Sequence, residues 1–218
     1  MKGRLESHVF WGQHSPFSAL TGAALIIMAS GRFAFALVCT GALIWVYGLS
    51  ALVFSCARSI LPSRGRMLIL LFISSFLCGF IMLLVSLLNP LLIQGTAFFL
   101  VLIPPCCIGT GFFEAADSVD PIEAVSRAVL EAAALAGVIL ALAVIREPLG
   151  LGTFSIPGGA QGIKEIFNSP ESNSFFPARI FSVSAGGLLL FGYGIALYRY
   201  LRDQNGSTPK DSDFSEEE

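Results

Sequence analysis

Long apolar runs alternate along the chain with short polar or charged turns. A helix needs about 20 apolar residues to cross a bilayer, and fewer where it is broken. The second run, residues 33–57, carries no charged residue at all. The pattern predicts six membrane helices, at residues 17–30, 33–57, 67–88, 91–111, 122–145 and 180–198.

Two of these segments begin alike and contain residues that interrupt helices. Ser15-Pro16 opens the first segment, which contains Gly22, and Asn89-Pro90 opens the fourth, which contains Pro104-Pro105. Each is followed by a long uninterrupted helix and then by a turn that carries an arginine. Broken segments at matching places in two inverted halves are a pointer to a site at the membrane midplane.

The fold class predicted is therefore an all-α integral membrane protein of six transmembrane helices. They form two inverted three-helix repeats, about residues 15–88 and 89–200, with broken first and fourth helices. The membrane domain covers residues 17–200, after a cytoplasmic N-terminus at residues 1–16. The polar, acidic residues 201–218 are expected to form a disordered cytoplasmic tail.

Composition strengthens the membrane prediction. Hydrophobic residues make up 55% of the 218 positions and charged residues only 13%, which is about half the charged fraction of soluble domains. The mean hydropathy is +0.77. The partner expected from this composition is membrane lipid, and no basic patch of the kind that binds nucleic acid is visible.

Positive charges give the orientation. In a six-span chain the two termini and the 2–3 and 4–5 loops share one side, which holds eight of the 13 Lys and Arg residues: Lys2, Arg4, Arg58, Arg64, Arg66, Arg199, Arg202 and Lys210. The opposite side holds four, Arg32, Arg146, Lys164 and Arg179, and Arg127 lies within a span. Because cytoplasmic loops carry the excess of positive charge, both termini are expected in the cytoplasm.

The fifth helix begins with a clear signal and carries a charged face. Asp120 can cap it, and Pro121 suits the first helical position. Glu123, Arg127 and Glu131 follow at spacings of four, so they stack on one face. Two interpretations stay open: a structural ladder of ion pairs near one interface, or a path for protons or ions.

Four motifs occur in order along the chain. They are Ser15-Pro16 with Gly22; Arg58 with Pro62 and Arg66; Cys107-Ile108-Gly109-Thr110-Gly111 with Glu114; and Arg146-Glu147-Pro148-Leu149-Gly150-Leu151-Gly152-Thr153-Phe154. Together they resemble the Rnf/Nqr family of small membrane subunits over about residues 15 to 200. The orientation agrees with the Rnf E / Nqr D type. The last motif is the most specific, because it resembles the family's RExxGxGxx segment.

The resemblance implies a subunit of an ion-translocating electron-transport complex in the bacterial inner membrane. Such a subunit pairs with a paralogous six-helix subunit of opposite orientation, beside further subunits that carry flavin or iron–sulfur centres. Cysteines of the broken helices hold a [2Fe–2S] cluster between the pair. Cys107 is the implied ligand to iron here, and Cys106 is a second candidate. No complete catalytic site is expected in this chain, which would serve a larger redox-driven oxidoreductase.

The chain departs from the family pattern in its first segment. There Gly22 is followed by Ala23-Ala24, where family members have a cysteine. Two alternatives therefore stay beside the redox subunit: a scaffold subunit without a cluster, and a small secondary transporter with its own midplane site. The other cysteines, Cys39, Cys56 and Cys78, are interpreted as packing residues.

Overall fold

The computed structural model describes residues 16–57, 66–109, 121–158, 162–168 and 179–206. Its helices are α1 (Pro16–Ala29), α2 (Phe33–Ala57), α3 (Arg66–Leu88), α4 (Pro90–Val101), α5 (Ile103–Gly109), α6 (Pro121–Leu151) and α7 (Ser184–Gly206). A short 3-10 turn, Arg179–Phe181, precedes α7, and two strands, β1 (Thr153–Pro157) and β2 (Ile163–Asn168), follow α6. The expected N-terminal segment 1–15, the capping Asp120, Arg58 with Pro62, Glu114 and tail residues 207–218 lie outside the described residues.

Four described stretches are long and apolar enough to cross a membrane: Phe33–Ala57, Leu68–Leu88, Pro90–Cys107 and Pro121–Leu151. The remaining two predicted spans correspond to shorter helices. α1 has 14 residues, and the apolar part of α7 covers Ser184–Leu197. The chain is thus a mostly helical, multi-pass membrane protein.

The helix break in the fourth segment is where the sequence predicts it. α4 ends at Val101 and α5 begins at Ile103. Pro104 has no N–H, so it cannot bond to the carbonyl of Leu100 four residues earlier. The Cys78 thiol of α3 donates a hydrogen bond to that carbonyl instead, at 2.9 Å. A cysteine of the neighbouring helix therefore satisfies the acceptor that the break exposes.

The break predicted in the first segment is not found within the described residues. α1 runs without interruption through Gly22 from Pro16 to Ala29. A single glycine only lowers helix propensity, whereas a proline removes a backbone donor. The two segments therefore differ: the fourth is broken within its apolar stretch, and the first is a short continuous helix over residues 16–29.

α6 continues six residues beyond the predicted end at Ile145. It includes Pro148 and stops at Leu151. Gly152 then takes a positive φ of 67°, and its N–H bonds to the carbonyl of Pro148 at 3.1 Å. This is the left-handed glycine that commonly ends a helix. The extension puts the Arg-Glu pair of the motif inside the helix rather than in a loop.

A β-hairpin follows α6, in the interval between the fifth and sixth predicted helices. β1 and β2 pair antiparallel, with a register shift between Phe154 and Ser155. Gly158 and Gly162 close the turn with positive φ values of 142° and 81°. The Phe154 ring stacks on Phe33 at the start of α2, with centroids 4.7 Å apart. The hairpin depends on such contacts with α2, which no local sequence pattern predicts.

α2 forms the centre of the described core and packs along α6. Gly48 lies near Val129, and the start of α2 lies near the end of α6, so the two helices run antiparallel. The contact face of α6 consists of small residues that are almost fully buried, Ala124, Ala128, Ala132, Ala136 and Ala143. Small side chains let membrane helices approach closely. Ala133 and Gly137 of the same helix are exposed and lie off this face.

Substitution of Gly150 tests the contact between α6 and the segment before α7. A Cβ at Gly150 would lie 2.7 Å from the backbone nitrogen of Ser182, whereas a Cβ at Gly137 would meet nothing within 4 Å. We expect Gly150→Ala to lower the free energy of unfolding by roughly 1–3 kcal/mol through overpacking. The matched variant Gly137→Ala should not lower it, because the added Cβ meets no atom and alanine favours a helix. Thermal unfolding midpoints in detergent measure both, and equal midpoints would contradict the contact.

Candidate functional site

The side chain of Arg146 donates four hydrogen bonds within the described structure. It is only 3% exposed. Its Nη1 donates to the Ile27 carbonyl at 2.6 Å and to Ser30 Oγ at 3.1 Å. Its Nε and Nη2 donate to the carbonyls of Phe181 and Ser182 at 2.7 and 3.1 Å. One guanidinium therefore joins the end of α1 to the segment that leads into α7.

Glu147, the next residue, is fully buried and holds the start of α2. Its Oε2 accepts a hydrogen bond from the backbone N–H of Phe33 at 2.7 Å, and Thr153 Oγ1 donates to Oε1 at 3.5 Å. Successive helical residues point in directions about 100° apart. The two side chains consequently reach different targets from the same turn of α6.

The two charges match the helix ends that they contact. The cation meets a carbonyl in the last turn of α1, where the helix dipole is negative, and the carboxylate meets an N–H in the first turn of α2, where it is positive. Glycines make room for this arrangement. A Cβ at Gly187 of α7 would lie 2.9 Å from Arg146 Cζ. The Arg-Glu motif thus fixes the α1–α2 corner and the beginning of α7.

The two cysteines singled out by the sequence lie on α5 directly after the paired prolines. Cys106 and Cys107 are both fully buried. α1 packs against α5, so the first and fourth segments do meet. The Tyr47 side chain of α2, also fully buried, hydrogen-bonds to both thiols. Both cysteines therefore face the interior of this chain.

Two further cysteines, on other helices, share the same core. Cys39 of α2 and Cys78 of α3 are at most 3% exposed. Together with Cys106 and Cys107 they belong to one cluster of buried residues. Cys39 and Cys78 are therefore core residues, and nothing in the sequence indicated that they share this core with Cys106 and Cys107. Cys56 is exposed.

The donor chemistry of this thiol group fits an iron–sulfur cluster, for which cysteine thiolates are the usual ligands. Among the described residues no three potential ligands stand close enough to hold one metal ion. A two-iron cluster spreads its ligands over two metals, so it does not require such a group. The side chains that would offer thiolates to it are Cys107 and Cys106.

The first segment supplies no thiol to this group. Ala23 and Ala24 of α1 are half-buried. Alanine has no ligand atom, so the contact between α1 and α5 brings only packing surface toward the cysteines. Any further ligand must come from another helix or another chain.

The charged face of the fifth predicted helix lies on α6 at the far end from Arg146. Arg127 Nη2 bonds to Glu123 Oε1, and both side chains are about half exposed, at 59% and 49%. Glu131 is half-buried. The observed Arg127–Glu123 pair agrees with the structural interpretation of an ion-pair ladder near one end of the helix.

These features define a class of protein: a polytopic membrane subunit with one proline-broken helix, buried thiols beside the break and an Arg-Glu motif that fixes a helix corner. The model of the family described as "Rnf-Nqr subunit, membrane protein" matches residues 6–195. The chain belongs to this family and so to a type of multi-subunit complex in the membrane. Comparison with curated proteins gives no match.

Substitution of Arg146 should lower the free energy of unfolding of the whole domain. Arg146→Ala leaves three backbone carbonyls and a hydroxyl without their charged donor, and we expect a cost of roughly 3 kcal/mol or more. Arg146→Lys recovers only part, because one ammonium cannot span acceptors on two segments. The control Arg127→Ala, at the half-exposed pair on the same helix, should cost about 0.5 kcal/mol or less. Thermal unfolding in detergent distinguishes these values. Equal effects at both arginines would refute the role of Arg146 and Glu147 as a clamp, the Arg-Glu clamp, that holds α1, α2 and the segment before α7 together.

Proposed function

We propose that the chain is the subunit of an Rnf/Nqr-type ion-translocating electron-transport complex at which electrons cross the middle of the membrane. Cys107, with Cys106, would bind a [2Fe–2S] cluster there. The observation that carries the proposal is the position of these cysteines. They are fully buried on α5, directly after the proline break and against α1.

The proposal includes the arrangement in the membrane. Six spans in two inverted repeats would cross the bacterial inner membrane, with both termini in the cytoplasm. A paralogous six-helix subunit of opposite orientation would stand beside the chain, and other subunits would bring flavin or iron–sulfur centres. The excess of positive charge on one side of the chain supports this orientation.

The chain's own residues would prepare the site for such a group. The apolar core around α2, α3 and α5 excludes water from the thiols. Tyr47, which hydrogen-bonds to Cys106 and Cys107, offers a hydroxyl donor to sulfur. Hydrogen bonds to the sulfurs are one of the factors that set the reduction potential of an iron–sulfur centre. When bound, the cluster would supply one-electron transfer between the redox partners on the two sides.

A second function stands beside it because α1 carries Ala23 and Ala24. A chain that had lost its cluster would keep the Arg-Glu clamp and the helix packing, and would serve only the assembly of the complex. Under this alternative the thiols are small apolar side chains of the core.

Iron and acid-labile sulfide in the intact complex distinguish the two functions. We expect Cys107→Ala to remove about two iron and two sulfide ions per complex, the content of one cluster, and to stop electron flux. Cys56→Ala, at the exposed cysteine of α2, is the matched control and should keep both. A complex that assembles with Cys107→Ala and retains its iron and its electron flux would support the scaffold instead.

A further inference from the structure

We infer that the groove between α2 and α3 binds an anionic phospholipid, with its phosphate at Arg66 and one acyl chain between the two helices. The groove has a volume of about 380 Å³ and is lined by five apolar side chains, Val53, Phe72, Ile73, Phe76 and Leu77. The inference goes beyond the proposed function. It uses neither the cluster nor the orientation, because it rests only on the adjoining ends of α2 and α3.

The exposure of α3 shows that something outside the chain covers this groove. Of the four described spans α3 is the least buried, with 17% of its span inside the protein against 50% for α2. Phe72 and Phe76, which line the groove, are 78% and 75% exposed. In a membrane protein such side chains contact hydrocarbon, which belongs either to lipid or to another protein.

A positive charge stands at one end of the groove. Arg66 is the first residue of α3, and the apolar span begins just after it at Leu68. Ile73 and Leu77 follow seven and eleven positions after Arg66. By helical geometry they lie within about 20° of Arg66 on the same face, about 10 and 16 Å farther along the axis.

These depths match the dimensions of a phospholipid. The hydrocarbon core of a bilayer is about 30 Å thick, so each leaflet supplies about 15 Å of it. A lipid whose phosphate lies at the level of Arg66 therefore has its acyl chain beside Ile73 and Leu77. The guanidinium is always charged, and its fork of donors suits phosphate oxygens. Basic sites between membrane helices bind anionic head groups in this way.

The walls of the groove favour a lipid chain over a helix of another subunit. Membrane helices approach one another closely through small residues, as α6 approaches α2 through its buried alanines. The residues that line the groove are all large, and a flexible acyl chain fits between such side chains more readily than a helix does. A zwitterionic head group carries a cation that Arg66 repels, so an anionic lipid is preferred.

The first experiment needs no variant. The intact complex is placed in phosphatidylcholine nanodiscs that contain a photoactivatable phosphatidylglycerol or phosphatidylcholine, each with the same diazirine on one acyl chain. Peptide mass spectrometry then locates the label. We expect phosphatidylglycerol to label the groove about fivefold more than phosphatidylcholine, the preference that one basic side chain gives near the membrane surface. Leu83 and Leu87 of α3, which are exposed outside the groove, should be labelled equally by both lipids.

The second experiment changes the charge. Arg66→Ala should remove the preference for phosphatidylglycerol, and Arg66→Lys should keep it, because either basic side chain attracts an anionic head group. Arg199→Ala is the matched control. Arg199 is an exposed residue just beyond the apolar part of α7 and lies outside the groove. Its loss should leave the labelling unchanged, which distinguishes a local site from the total charge of the chain.

The third experiment fills the groove. Val53→Trp should lower the labelling of the groove by either lipid severalfold, because the larger ring occupies the place of the acyl chain. Leu52→Trp is the matched control on the neighbouring position. The two residues are similarly exposed, at 39% and 46%, and of the two Val53 lines the groove.

Two kinds of result overturn the inference. Groove residues that stay unlabelled, while Leu83 and Leu87 are labelled, are covered by another subunit instead of lipid. Equal labelling by the two lipids, or a preference that survives Arg66→Ala, removes the anionic head-group site at Arg66. Neither result changes the iron that depends on Cys107, so the proposed function is tested separately.

Discussion

Arg146 and Glu147 are neighbours in the sequence and bind helix ends of opposite polarity. The guanidinium holds a carbonyl in the last turn of α1, and the carboxylate holds an N–H at the start of α2. The guanidinium also holds two carbonyls just before α7. Buried charges are costly unless they are hydrogen-bonded, so both side chains fix their partners strongly. The position of α1, and hence its contact with α5, depends on this pair.

The thiol site depends on a second constraint, the loss of backbone donors at Pro104 and Pro105. Those prolines divide the fourth segment into α4 and α5 and leave the Leu100 carbonyl for Cys78. α1 rests against α5, and Cys39 of α2 and Cys78 of α3 are buried in the same core as Cys106 and Cys107. The Arg-Glu clamp and the proline break act together. The clamp fixes α1, which packs against α5, and the break fixes the position of the cysteines on α5.

The apolar runs predicted the helices well, because a bilayer demands length and hydrophobicity that are visible in any sequence. α2 has the predicted bounds, and the prolines predicted the break beside Leu102. Cys39 and Cys78 could not be connected to Cys107 in advance. A helix that is apolar on every side does not reveal which face meets its neighbour. The partners of Arg146 were equally hidden, since Ile27 is 119 positions away in the chain. The β-hairpin likewise depends on packing against α2.

The central claim is that the buried thiols beside the proline break help to hold an electron carrier. The most direct test is an electron cryo-microscopy map of the intact complex in lipid nanodiscs, prepared without oxygen. We predict strong density for two iron atoms beside α5, joined to the sulfur atom of Cys107. Continuous apolar packing at that position, with no iron bonded to Cys107, would contradict the account.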